Sequence, residues 1–168
     1  QGARDGEFAI KPLLELIKKA NDQQPSAIII GCFDDTGLQK ARDVSLCPVL
    51  GIGEASFIFS NLHIGQTAVI TTVYDAVPII KKNIENAGYQ NQINEVIAAD
   101  VEVLELELNP AESALKFAKA SKTLELNTQN IILGCAGAVR IRDEFEDITG
   151  FRAFDGVTSA AKLCRALA

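Results

Sequence analysis

The spacing of apolar residues changes period along the chain, and each change marks an element. Ile10, Leu13, Leu14 and Ile17 recur at helical intervals and predict a helix over residues 9–20, with Lys18 and Lys19 in its last turn. Residues 1–8, polar and carrying two glycines, read as a loop, and 21–25 as a turn. Residues 27–30 are wholly apolar and mostly β-branched, the mark of a strand covered on both faces. Gly-Cys-Phe-Asp-Asp-Thr-Gly follows at 31–37, a loop rich in capping residues, and then a short helix over 38–44. A second strand is expected at 48–52, closed by Gly53-Glu54-Ala55, with a helix over 56–62. A third strand spans 65–74, and the helix after it starts near Val77-Pro78 and stops at Gly88. Residues 96–108 alternate through Val101, Val103, Leu106 and Leu108 until Asn109-Pro110 breaks the run. A helix over 111–124, a buried strand over 130–133, a helix over 138–148, a short strand or turn at 153–156 and a closing helix over 157–168 complete the reading.

The alternation of strand and helix implies parallel sheets joined by crossover helices, an α/β fold. The pattern of the first half begins again near His63-Ile64-Gly65, so a first lobe is drawn over 1–64 and a second over 65–150. Ligands of such sheets sit at the carboxyl ends of the strands. Two near-identical phrases end there: Ile28-Ile29-Ile30-Gly31-Cys32 and Ile131-Ile132-Leu133-Gly134-Cys135. Gly53-Glu54, Thr71-Thr72 and Asp155-Gly156 fall at the same level.

Composition narrows the function. The chain has 168 residues, 48% hydrophobic and 23% charged, ordinary values for a globular protein. Its net charge of −6 argues against nucleic acid or an anionic membrane as a main partner. Apolar runs are too short for a membrane span, and no signal peptide is visible. The four cysteines lack CxxC spacing and make a poor disulfide framework, so reduced thiols in the cytoplasm are expected. The chain opens on Gln1 and contains no Met, which reads as a fragment.

The chemistry rests on the paired Gly-Cys phrases. A thiol between a strand and a helix has amides and the helix dipole nearby, which favour thiolate. Asp34 and Asp35 beside Cys32 act in the opposite sense, whereas only small residues follow Cys135, which makes Cys135 the more easily ionised of the two. Two thiols flanking an acidic carbon could take a proton from one face and deliver one to the other. A lone Cys is more often simply buried, and Cys47 and Cys164 are read that way. With a single histidine, His63, and no ligand-spaced cysteines, no metal site is expected; His63 is read as a surface residue. Gly51-Ile52-Gly53 is too short a fragment of a dinucleotide loop to count, and Glu102, Glu105 and Glu107 read as a solvated edge. The Thr71 and Thr72 hydroxyls could bind a ligand carbonyl.

Five phrases carry a resemblance. Gly31-Cys32-Phe33-Asp34-Asp35-Thr36-Gly37-Leu38, Pro48 to Ala55, Val69-Ile70-Thr71-Thr72, Leu133-Gly134-Cys135-Ala136-Gly137 and Asp155-Gly156-Val157 occur here in the order found in the hydantoin racemase family. That family includes allantoin racemases and belongs to the aspartate/glutamate racemase superfamily. The resemblance implies two flavodoxin-like lobes with pseudo-two-fold symmetry, residues 151–168 returning to the first lobe, and an active site in the cleft between them. It implies cofactor-independent racemisation of a 5-substituted hydantoin or allantoin at ring C5 by Cys32 and Cys135. Phe33, Gly53, Glu54, Thr71, Thr72, Gly134, Ala136 and Gly137 would line the pocket, and members are commonly homo-oligomers. Family members usually begin with a strand and a Pro-Asn-Thr-Ser/Thr motif that this chain lacks, which implies a missing N-terminal segment and, without it, no activity. Members also commonly carry Met where this chain has Ala138. Two alternatives stand beside this reading: an aspartate or glutamate racemase, which needs cationic or helix-terminus groups for the free α-carboxylate where no obvious basic residue lies at the strand ends, and a small-molecule binding protein without turnover.

Overall fold

The computed structural model describes residues 3–167 and contains two parallel sheets. The first is a pair, β1 (Ile28–Ile30) beside β2 (Val49–Gly51). The second has four strands in the order β4-β3-β5-β6, with β3 at Gln66–Thr71, β4 at Ile93–Ala98, β5 at Thr128–Gly134 and β6 at Arg152–Asp155. All pairings are parallel, as the strand–helix alternation requires.

Helix α1 (Ala3–Asn21) starts earlier than its apolar stripe suggests. The loop expected at 1–8 is therefore corrected: residues 3–8 are helical, while Gln1 and Gly2 lie outside the described residues. Gly6 is tolerated because its bare Cα faces Thr36, whose methyl lies 3.3 Å from where a Cβ would stand. Ile17 of α1 packs with Ile30, Leu38, Ala41 and Val49 to form the small core of the first sheet, where α2 (Leu38–Val44) covers the strands.

The second strand is shorter than expected. β2 ends at Gly51, and Ile52 opens helix α3 (Ile52–Asn61), so Gly53 and Glu54 belong to a first helical turn and not to a strand-closing loop. The alternation over 96–108 is corrected as well. The strand is β4, upstream and partly polar, and Glu105–Leu108 form a single helical turn, α5. Val101 and Leu106 reach the core from irregular backbone and from that turn, which mimics a strand's alternation. Helices α4 (Val77–Asn86), α6 (Pro110–Ser121) and α7 (Arg142–Thr149) cross over between strands of the second sheet.

The second sheet carries the main core. Ile131, Ile132 and Leu133 of β5 are fully buried, sandwiched between a cluster around Phe117 and Phe145 and one around Phe57 and Ile80. Each such side chain contributes about 1.5–3 kcal/mol of burial. The segment 151–168 divides. β6 adds to the second sheet beside β5, while α8 (Gly156–Leu167) lies mainly on α3 and also touches β1 and β2. Helix α3 itself reaches β5 and β6, so the two sheets share one wall of helices. Among the described residues no helix is long and apolar enough to cross a membrane.

Candidate functional site

Every parallel strand points its carboxyl end toward the loops that carry the candidate residues. Cys32 follows β1 and Cys135 follows β5. The ends of the two sheets meet through backbone. At the β6–α8 junction, a Cβ on Gly156 would stand 2.4 Å from the Ile52 carbonyl oxygen, so only glycine admits this approach. Phe33, Ile52, Val69, Ile132 and Ala160 share one core cluster beneath the junction, with Ala136 packed against it.

The two thiols sit in different surroundings. Cys135 is half-buried, and burial pushes its pKa up; Cys32 and Asp34 push it further in the same direction. The Gly137 and Ala136 amides, at the start of a 3₁₀ turn over Ala136–Arg140, hydrogen-bond the sulfur and draw it back down. The Cys135 thiol is therefore raised, where its sequence surroundings favour thiolate. Its chain neighbours are small, but the fold brings a carboxylate and a second thiol across to it and removes water. Cys32 is exposed on the 31–37 loop, its Sγ 3.9 Å from the Thr36 hydroxyl.

The expected pocket residues divide into those that present polar groups near the sulfurs and those that build the frame. Ala136 and Gly137 belong to the first set through their amides. The rest hold the frame. Phe33 is buried with its ring edge-to-face on Phe57, centroids 6.2 Å apart. The Thr71 hydroxyl donates to the Gly134 carbonyl at 2.9 Å and ties β3 to the end of β5. A Cβ on Gly134 would crowd Thr71 and Val69 at 3.1 Å. Thr72 is buried, and its carbonyl accepts the Val101 amide at 3.0 Å. Glu54 is paired with Arg42, whose guanidinium also donates to the Val49 carbonyl at 3.0 and 3.1 Å. Gly53 donates its amide to Asp35.

Asp35 and Asp34, adjacent in sequence, separate in space. The Asp35 carboxylate accepts the amides of Gly53 at 3.0 Å and Glu54 at 2.7 Å. Burial outweighs those bonds and pushes its pKa up to about 7. Asp34 is the carboxylate that acts on Cys135; burial raises its own pKa, and its carbonyl accepts Asn83 of α4 at 2.8 Å. A cavity of about 400 Å³ behind this loop is lined by Asp34, Thr36, Glu54, Phe57, Lys82 and Asn83. Neither Cys32 nor Cys135 lines it.

At the other edge, the buried Asp155 caps α8 by accepting the Thr158 amide at 2.7 Å and takes Arg142 at 3.3 Å. The contacts of Asp35, Asn83 and Arg142 had no local signal in the sequence, since each spans separate elements. His63 is not a surface residue: it is half-buried, its ring 4.9 Å from that of Phe154, and Nδ1 hydrogen-bonds the Phe59 carbonyl. Cys47 sits in a turn with Ser45, and Cys164 lies in α8. Among the described residues, no group of three or more His, Cys, Asp or Glu side chains is placed to hold a metal ion.

Comparison with known proteins agrees with this architecture. The family model described as Asp/Glu/Hydantoin racemase matches residues 1–164. A hydantoin racemase of Rhizobium meliloti is 35% identical over 99% of this chain and 70% of its own length. The allantoin racemase of Pseudomonas fluorescens superposes with a TM-score of 0.92 at 25% identity, covering 99% of this chain and 72% of that one. That of Klebsiella pneumoniae gives 0.90 at 26%, covering 99% and 69%. With its parallel two-sheet fold and a match along nearly its whole length, the chain belongs to the Asp/Glu/hydantoin racemase family.

Proposed function

We propose that this chain is a cofactor-independent racemase acting on a 5-substituted hydantoin or allantoin ring through its two strand-end thiols. The observation that carries the reading is a pair of free thiols, each following the carboxyl end of a parallel strand, in different sheets. The relatives named hydantoin racemase and allantoin racemase point to the ring as substrate class.

The ring carbon C5 lies beside a carbonyl, so its C–H bond is acidic. A thiolate on one face takes the proton, and the C–H electron pair moves into the ring as an enolate. The thiol on the other face then delivers its proton to C5 as the enolate collapses. The product has the opposite configuration, and the two sulfurs have exchanged protonation states. Cys135, held as thiol by burial and by Asp34, is the acid when Cys32 is the base; the opposite enantiomer runs the exchange in reverse. The Ala136 and Gly137 amides steady the Cys135 thiolate that this step leaves behind. A reducing cytoplasm suits a mechanism that needs both sulfurs free.

A neutral ring fits this site better than a free amino acid. An α-carboxylate needs a cation or a helix terminus, and the cations Arg42 and Arg142, which reach Glu54 and Asp155 at the strand ends, are each already paired with a carboxylate. The test is incubation of each enantiomer of a chiral 5-substituted hydantoin in D₂O. Loss of optical rotation together with deuterium at C5 is expected. Tight binding without exchange would make the chain a binding protein, and exchange of aspartate or glutamate in place of the ring would move it to the amino-acid class.

A further inference from the structure

We propose that Asp35 is the positioning residue of Cys32, its carboxylate locking the cysteine-bearing loop onto the first turn of α3 through a slot left open by Gly51 and Gly53. The inference rests on the reading of Cys32 as an acid/base group and names what holds that group in place.

Cys32 follows a strand that pairs only with β2 among the described residues, and its loop runs over the surface. Such a loop needs its own anchor if it is to aim a sulfur. Asp35 supplies it from backbone and side chain together. Its amide donates to the Cys32 carbonyl at 3.0 Å, and its carbonyl accepts the Leu38 amide at 3.0 Å. The cysteine's own peptide group is thus bonded to the residue that reaches α3.

The side chain behaves as a helix cap delivered from a distant element. Gly53 and Glu54 carry two of the amides that the first turn of α3 leaves without intrahelical partners, and Asp35 takes one with each oxygen. The local N-cap residue, Gly51, has no side chain to do this. The space is equally specific. A Cβ on Gly51 would lie 2.2 Å from Asp35 Oδ1, and one on Gly53 would lie 2.7 Å from Oδ2 and 2.5 Å from the Phe33 carbonyl oxygen. Gly51-Ile52-Gly53 is therefore a socket for a carboxylate of the same chain, not a remnant of a dinucleotide loop.

The backbone conformation shows that the anchor works under tension. Asp35 has φ of 49°, in the left-handed region that a residue with a Cβ adopts at a cost. The two charge-assisted bonds to α3 offset that cost. Arg42 and Glu54 face the carboxylate with opposite signs and are paired with each other.

The test is a double-mutant cycle on the full chain, read by thiol labelling and turnover. Asp35→Asn is isosteric but turns an amide NH₂ toward one helix N–H; about a 10²-fold fall in kcat, with KM changed far less, is expected from misaimed Cys32. Labelling of Cys32 by iodoacetamide should change several-fold while that of Cys135 holds. Gly51→Ala keeps Asp35 but fills its socket, and it should reproduce both effects. Adding Gly51→Ala to Asp35→Ala should cost nothing more, because the socket is then empty. Wild-type kcat and wild-type Cys32 labelling in Asp35→Asn would overturn the proposal. So would losses from Asp35→Ala and Gly51→Ala that simply multiply, or a kcat loss that only follows the folded fraction seen by circular dichroism. Labelling needs no turnover, so an enzyme that leaves the hydantoin proton untouched would sink the racemase reading while the cycle still decided the lock.

Discussion

The two Gly-Cys phrases are nearly the same in letters and differ in how the fold holds them. Around Cys135 the frame is a sheet. β5 lies between β3 and β6, its Ile131, Ile132 and Leu133 are fully buried, and Thr71 pins Gly134 from the next strand. Around Cys32 the frame is a side chain. β1 belongs to a two-stranded sheet, Ile29 is 41% exposed, and the loop is tied by Asp35 to a helix. One sulfur is thus aimed by a hydrogen-bond ladder and half-buried against an apolar core; the other is aimed by a single carboxylate and exposed. The lesson is that a repeated sequence phrase can repeat a functional group without repeating its support.

The largest effect that could break this comparison is on turnover. Cys32→Ala and Cys135→Ala should each slow racemisation by about 10²–10⁴-fold, the usual worth of a general acid or base. The remaining thiol serves one face only, so each variant should exchange deuterium at C5 of one enantiomer, and the two variants should prefer opposite ones. If both prefer the same enantiomer, the sulfurs do not flank the ring. Next comes stability. Ile132→Ala should cost about 2–5 kcal/mol in denaturant unfolding, whereas the equivalent change at half-exposed Ile29 should cost about 1 kcal/mol or less. Equal losses would mean that the first sheet is as well supported as the second.

A smaller effect concerns pH. Asp35 has a folded-state pKa of about 7 against an ordinary 3.8, so the folded chain holds this proton more tightly than the unfolded one. Its contribution to stability therefore falls as pH rises from about 4 to about 7 and levels off above that. Asp34, also raised by burial, acts with the same sign. Melting temperature followed over this range should slope less in Asp35→Asn than in wild type; parallel slopes would mean that Asp35 is not the buried group it looks to be. The smallest effect is electrostatic. Cys32→Ala and Asp34→Asn each remove a group that raises the Cys135 pKa, so alkylation of Cys135 should set in at lower pH in both. An unchanged profile would separate the two walls of the cleft.

What could be read from the letters was what local pattern determines. The apolar runs at β1, β3 and β5 and the short helix at Leu38–Val44 follow from the period of the apolar residues. What failed was decided across the chain. β4 carries Asn94 and Glu95 and looks too polar for a strand until β3 supplies its partner. The start of α3 is set by a carboxylate from another loop, so a glycine-rich stretch that reads as a strand's end is helical. The raised pKa of Cys135 is hidden from the letters for the same reason. Asp34 follows Cys32 in sequence, yet its charge also acts on Cys135 through a short cut that only folding creates.

The contact between Gly156 and the Ile52 carbonyl has a consequence for how this site could diversify. Where two sheets abut through bare backbone, the missing methyl acts as a spacer of zero thickness between the halves of the molecule. Any larger residue there would be a shim, forcing the start of α8 away from the start of α3. On the proposed function, the spacing between the two thiol-bearing loops, and so the ring that fits between them, depends on a position that lies in neither loop.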